Sequence, residues 1–529
     1  MTLKTAPIAL AVVASLAAGS PALAAPDSVG FAIYFDADVR DAAECGMHVE
    51  NGEIWFDPRV ANPAMSCPDM FAWKLFVDVT RQEWWSNWAS DQHTWPKEPL
   101  RLCEPGQAGP DCCLPGAADN PGYSDPGTDP DYAYSMHCPY FPGDHDALAG
   151  GPRRLGMPIG AHAITLGAGG IAANLTTPLS RPGEPEPGRV IRQEVGEITV
   201  RNQAMFDYIF ENNLYNQAGI AAVFDRNSAN LAANAPYQAT NPSGNLSRID
   251  LPTSAIMIKS DWLYHEFARD MGLVDDPDAP YVKKDMVTTI GDKEYRGEHW
   301  MMAFHISTKD LPQWVWVTFE HVNNPGRCDF IGCNDSYGYQ SDDPRPSPGD
   351  TVANFTAPHV RSDGLGNASD IFNLGLRYTS GPISPGLAEI FEGMQIGIAG
   401  NGNEPAPTDQ AWLSYRLKGS QVNFTNTMGR STRLGNSVTE GGFMGTSSCV
   451  SCHARASVAA TGKSDAPIEP ALGVMIYDVL NEVGYAQSIS GVPQKDWYHG
   501  SGFKPALRAL QTDFMWGMPF FAKPLSAPK

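Results

Sequence analysis

Apolar residues recur at helical spacing in only a few stretches of this chain. Phe71, Ala72, Leu75, Phe76 and Val79 follow Pro68, which suits a first turn, and predict one helix. Met205, Phe206, Ile209, Phe210 and Leu214 form a second apolar stripe that ends soon after Asn212-Asn213. Two further helices are expected near the C-terminus, from about Ala471 to Val483 and from Pro505 to about Phe514. Between these stretches the pattern turns to strands: Ala255 to Lys259, Met286 to Ile290, Met301 to Ser307 and Trp314 to Val322. The last two read as a hairpin joined by the six residues Thr308 to Gln313.

Alternation assigns faces to that hairpin, because successive side chains of a strand point to opposite sides. Met302, Phe304 and Ile306 fall on one face, and Met301, Ala303, His305 and Ser307 on the other. On the partner strand Val315, Val317, Phe319 and His321 share a face opposite Trp314, Trp316, Thr318 and Glu320. His321 reads mainly as a histidine hydrogen-bonded at a strand end, while His305, Glu320 and His321 are the candidates for acid–base or substrate contacts.

Punctuation divides the rest. Residues 1–24 read as a secretory signal: Lys4, an apolar run from about Ala6 to Ala18, and Ala22-Leu23-Ala24 before the expected cleavage. That run is too short to span a membrane, and no later stretch offers the roughly 18 apolar residues a span needs. From 25 to 177 the chain is rich in Pro, Gly, Asp and Trp, and Trp84, Trp85, Trp88 and Trp95 read as aromatic core. Asp119 to Tyr132 is carboxylate-rich but lacks EF-hand spacing and reads as a surface loop; Asp363 to Gly366 is too short for a phosphate loop. Pro178 to Arg189, with four prolines and two glycines, is the expected linker to a mixed region over 190–432, and a last unit covers 433–529. No internal repeat of fixed period is present.

The net charge of -22 becomes -23 once Lys4 leaves with the signal, a field that repels nucleic acid and anionic lipid; it more often serves only solubility, with a basic protein partner as the alternative. Ten cysteines in an exported chain point to disulfides. Cys45, Cys67, Cys103, Cys112, Cys113 and Cys138 lie in the first third with their connectivity open, and Cys328 and Cys333 are close enough to close a small loop.

The remaining pair carries the chemistry. Cys449-Val450-Ser451-Cys452-His453 fits C-x-x-C-H, in which two thiols three positions apart add to the vinyl groups of one porphyrin and the next residue offers an imidazole to the iron. From the composition, chance would produce this pattern on the order of 0.004 times in such a chain. A closed zinc site would need two more ligands at matching spacing, and a thioredoxin-like dithiol would follow a strand, whereas Gly441, Gly442 and Gly445 precede this motif. The expected cofactor is therefore one covalent haem c on Cys449 and Cys452, with His453 as axial ligand. For the sixth position Met518 competes with Met515, Met475 and His499.

The chain resembles an uncharacterised family of exported proteobacterial c-type cytochromes in which a long N-terminal region precedes one CxxCH domain. The resemblance is carried by Gln313 to Val322, Phe206-Asp207-Tyr208-Ile209, Phe71-Ala72-Trp73, Ser448 to His453 and Thr512 to Trp516. It implies an α+β architecture: a loop-rich, disulfide-stapled N-terminal region, a β-containing middle region and a small all-α cytochrome c-like domain. The leading functional expectation is electron transfer in the periplasm with a redox partner protein. A haem-dependent peroxidase or oxygenase with an open iron position and a small-molecule substrate is the first alternative, and a ligand-binding module fused to a haem domain is the second.

Overall fold

The structure is a computed structural model, which describes residues 45–123, 136–144, 153–155, 191–192, 194–233, 246–290, 292–325, 327, 337, 383–425, 432, 434–441, 447–474, 476–477, 483–484, 492–502 and 504–526. The signal segment, the 178–189 linker, Cys328 and Cys333, Asp363 to Gly366, Met475 and most of Asp119 to Tyr132 lie outside the described residues.

In chain order the elements used below are β1 (Met47–Glu50), β2 (Glu53–Phe56), α1 (Pro68–Arg81), β3 (Ala89–Ser90), β4 (Arg101–Leu102), β5 (Cys112–Cys113), β6 (Arg153–Leu155), β7 (Val195–Arg201), α2 (Gln203–Glu211), α3 (Gln217–Ala232), β8 (Ile256–Tyr264), β9 (Lys283–Ile290), β10 (Lys293–Thr308), β11 (Val315–His321), α4 (Pro385–Gly393) and β12 (Tyr415–Gln421). The C-terminal part adds α5 (Cys449–His453), β13 (Ser457–Ala460), β14 (Ile468–Pro470), β15 (Ile476–Tyr477), β16 (Val483–Gly484), β17 (Leu510–Gln511) and α6 (Gly517–Phe521).

An eight-stranded sheet runs in the order β12-β11-β10-β8-β7-β3, with β9 beside the first half of β10 and β6 parallel to β9. The sheet curls, and Gly196 on β7 permits it: a Cβ there would meet Leu155 of β6 at 2.5 Å and Thr288 of β9 at 2.8 Å. Three disulfides staple the first region, pairing Cys45 with Cys67, Cys103 with Cys112 and Cys113 with Cys138.

On one side of the sheet the apolar face of α1 meets the strands. Phe76 lies 5.0 Å from Phe319, 5.7 Å from Phe304 and 5.8 Å from Trp412 between ring centroids. Trp84, Trp85, Trp88 and Trp95 are all buried, as core aromatics should be. One hydrophobic cluster reaches from Ile54 to Ala522 and so contains residues of all three expected regions. Among the described residues no helix is long and apolar enough to cross a membrane.

Three expectations fail. Ile476 pairs with Gly484 as β15–β16 where a helix over 471–483 was expected, and Gly473 weakens that helix. Leu510-Gln511 pairs with the edge of β13 instead of continuing a helix from Pro505. The described C-terminal residues therefore form a three-stranded sheet, a two-stranded sheet and short helices, and the expected all-α cytochrome domain is not seen among them. The third is local: a register shift between Met301 and Ala303 puts Met301, not Met302, in the cluster with Phe304 and Ile306.

Candidate functional site

The second face of the sheet is polar, and its registers define three rows. Met257, Ser307, Trp316 and Gln421 form the first. Thr199, Lys259, His305 and Thr318 form the second, and Glu197, Asp261, Ala303 and Glu320 the third. The residues between them, including Ile198, Ile258, Phe304, Val317 and Phe319, belong to the apolar core. One set of strands thus separates an aromatic core from a buried polar surface.

Residues 434–441 and 447–453 border this surface and supply partners to several of its groups, while Thr199 Oγ1, Asp261 Oδ1 and Glu320 Oε1 stay buried without a hydrogen bond. Asn436 Oδ1 accepts from the Val438 and Thr439 amides at 2.9 and 2.7 Å, which fixes its Nδ2 as the donor to His305 Nε2 at 3.1 Å and Thr318 Oγ1 at 3.0 Å. His305 Nε2 is therefore an acceptor, and the ring's proton sits on Nδ1. Ser437 donates its amide (3.1 Å) and hydroxyl (2.7 Å) to Glu320 Oε2, Thr439 donates to Asp261, and Glu440 Oε2 accepts from the Asn436 amide at 2.7 Å. Gln421 holds the motif helix itself: its Oε1 accepts from the Val450 amide at 2.9 Å, an orphan donor of the first turn, and its Nε2 donates to Ser448 Oγ at 3.0 Å.

Burial dominates the titration of this surface. It pushes Glu440 up to about 8, and raises Asp261 to about 7 with help from the Glu197 charge. It drives His305 well below its ordinary range, with the Lys259 and His453 charges acting the same way. Burial also opposes the Lys259 charge, but Glu197, 3.2 Å from its Nζ, and Asp261 outweigh that and raise its pKa. Near neutrality the surface therefore carries a protonated Glu440 carboxyl whose Oε1 is 3.6 Å from an unprotonated His305 Nε2.

Beside it sits the motif. Cys449 and Cys452 are buried and in no disulfide, and burial followed by the Glu440 charge pushes the Cys449 thiol far up, which disfavours a nucleophilic dithiol. His453 donates Nδ1–H to the Phe514 carbonyl at 2.8 Å, and its ring centroid lies 4.3 Å from that of Trp316. Because a carbonyl only accepts, this bond fixes the tautomer and leaves Nε2 with its lone pair. Burial holds the ring neutral, with a pKa lowered to about 3. Cys449, Cys452 and His453 line a cavity of about 70 Å³ together with His305, Lys259 and Glu440. A porphyrin needs more room than this, so the donor set carries the fit: two thiols on one helical turn and a neutral imidazole, oriented by a carbonyl in the manner of metal-bound histidines. Among the described residues no three His, Cys, Asp or Glu side chains converge as ligands for a metal ion.

The other expected residues scatter. Glu320 lies under the cover, 3.4 Å from Lys418 Nζ, and does not reach the cavity. His321 sits on the apolar face, stacked on Tyr281 at 3.6 Å, with Nε2 3.2 Å from the Pro280 carbonyl and Nδ1 accepting from the Asn323 amide. Met518 and Met515 are core residues away from the cavity wall, and His499 borders a separate surface groove. Met257, Lys259, Glu197, Arg192 and Glu440 are on the wall without having been singled out. The period-two spacing Met257, Lys259, Asp261 was a readable signal for the first two, whereas nothing local marks Arg192 or Glu440. No known protein family matches the chain, and no curated protein or solved structure does.

Proposed function

We propose that this chain is an exported oxidoreductase that works through one haem c, attached at Cys449 and Cys452 and ligated by His453. The observation that supports it is the sharing of one cavity wall by the CxxCH residues and the His305–Glu440 pair. A centre that only relays electrons gains nothing from burying the carboxyl groups of Glu440, Asp261 and Glu197, since taking a charge or an acid out of water is costly. Clusters of strongly shifted groups beside a reactive centre are instead typical of acid–base chemistry.

Haem, when bound, supplies one-electron and small-oxidant chemistry. The chain's own part is to hold the proton. Glu440 keeps it on a carboxyl oxygen facing His305 Nε2, Asn436 fixes the imidazole, and Lys259 balances Glu197. Three disulfides among the first six cysteines accord with export.

Electron transfer is the second reading, favoured by the Met257 thioether on the same wall, which offers a sulfur to a six-coordinate iron. One experiment separates the readings. The protein is co-expressed with a haem-attachment system, and its absorption is recorded oxidised and reduced, with and without carbon monoxide or cyanide. A ligand-responsive spectrum is expected for the oxidoreductase. A low-spin spectrum indifferent to both ligands selects electron transfer, and absence of covalent haem refutes both.

A further inference from the structure

The carbonyl that orients His453 belongs to a turn that no isolated chain would favour. Asp513 and Phe514 adopt φ values of 47° and 65°, left-handed conformations that are uncommon for a non-glycine residue and a true outlier for one as bulky as Phe. Such a turn persists only where its surroundings over-determine it. Here the Asp513 carboxylate does so: Oδ2 accepts from the Leu251 amide at 2.6 Å, and Oδ1 accepts from Lys309 Nζ and from Trp314 Nε1 at 3.3 Å. Trp314 is itself left-handed, at φ 65°, at the end of the β10–β11 connection. The carboxylate is nearly inaccessible, so water cannot replace these partners. From the next residue the Phe514 carbonyl reaches His453 Nδ1, 61 positions upstream of it.

We propose that Asp513 is a positioning residue for His453: by locking the strained 513–514 turn to β10–β11 and Leu251, it holds the Phe514 carbonyl on Nδ1 and turns Nε2 toward the cavity as the ligating nitrogen. The ligating role rests on the haem reading, whereas the clamp on the tautomer does not.

The test uses the full-length, nitrogen-15-labelled chain without attached haem, with the His453 ring signals assigned by their loss in His453→Ala. Wild type is expected to show His453 as the Nδ1–H tautomer. Asp513→Ala should lower the Nδ1–H to Nε2–H ratio by about three- to tenfold, the equilibrium worth of one neutral hydrogen bond. Asp513→Asn, which keeps an acceptor at one oxygen and preserves the fold if the alanine variant does not, should move the ratio the same way by less. A ratio unchanged in the asparagine variant overturns the proposal, even if thermal stability falls. In haem-loaded protein the same variants should raise the iron potential, because a weaker Nδ1–H bond lowers the ligand's basicity. If no haem attaches, the functional reading fails while the tautomer measurement still decides the role of Asp513.

Discussion

The two faces of the central sheet share every backbone hydrogen bond yet solve opposite problems. On one, Phe76, Phe304, Phe319 and Trp412 fill space, and the gain scales with the apolar area removed from water. On the other, Glu197, Asp261, His305 and Glu320 are also buried, but each needs a partner, and the 434–440 segment supplies several through Asn436, Ser437 and Thr439. An apolar face tolerates any residue of suitable size, whereas the polar face works only with these donors and acceptors in place. The comparison assigns packing to the first face and, on the proposed reading, chemistry to the second.

Substitutions can break that division. The largest effect is expected on the polar face: His305→Ala should lower turnover of hydrogen peroxide with a one-electron donor by about 10²- to 10⁴-fold, the range of a general acid–base group, while covalent haem content stays constant. Steady-state rates normalised to haem absorbance check this, and unchanged rates would return the molecule to simple electron transfer.

On the apolar face, Phe304→Ala should destabilise the fold by about 3–5 kcal/mol, read by urea unfolding, because a buried aromatic leaves a cavity in a rigid cluster. A loss near that of a surface substitution would mean the aromatic cluster is not the core of the sheet.

The pH dependence sharpens the contrast. Glu440 binds its proton more tightly when folded, with a pKa of about 8, than when unfolded, so the stability it contributes is full below the unfolded value near 4.5 and is lost as pH rises through about 8. Asp261 acts in the same direction up to about 7. Glu440→Gln should therefore reduce the decline in stability between about pH 5 and pH 8, by roughly 3–4 kcal/mol. Equal slopes in wild type and variant would show that Glu440 is not a buried acid.

The smallest change is expected at a solvent-facing ion pair. Arg248→Ala removes a contact of 2.8 Å to Asp250 between half-exposed side chains and should alter unfolding free energy by less than about 1 kcal/mol. A larger loss would mean that charge pairs matter here irrespective of burial.

Much of this division was legible in the chain. Alternation over Met301–Ser307 and Trp314–Val322 separated Phe304, Ile306, Val317 and Phe319 from His305, Ser307, Trp316 and Glu320, and the strands place them so. It failed at Met302 because a bulge adds a residue on one strand, and a pattern of period two carries no mark of that. Helical spacing succeeded for α1, where long apolar residues recur over three turns. It misled within 471–483, where Gly473 interrupts the stripe, and within 505–514, where Leu510-Gln511 yielded to pairing with β13. Glu440 gave no signal, since a single charged residue in a turn reads as solvated until tertiary structure buries it, and nothing local placed Arg192 on the cavity wall.

By itself the sequence determined the residues that must act locally: the two thiols and imidazole of Cys449 to His453, the alternating faces of the hairpin and the helix beginning at Pro68. These depend on covalent spacing and backbone period, which neighbours in the chain fix. Only the tertiary structure decided which groups share the cavity with the motif, why Glu440 and Asp261 hold protons near neutral pH, and how Phe514 meets His453. Those properties come from desolvation and from contacts between distant segments, and neither exists before the chain folds.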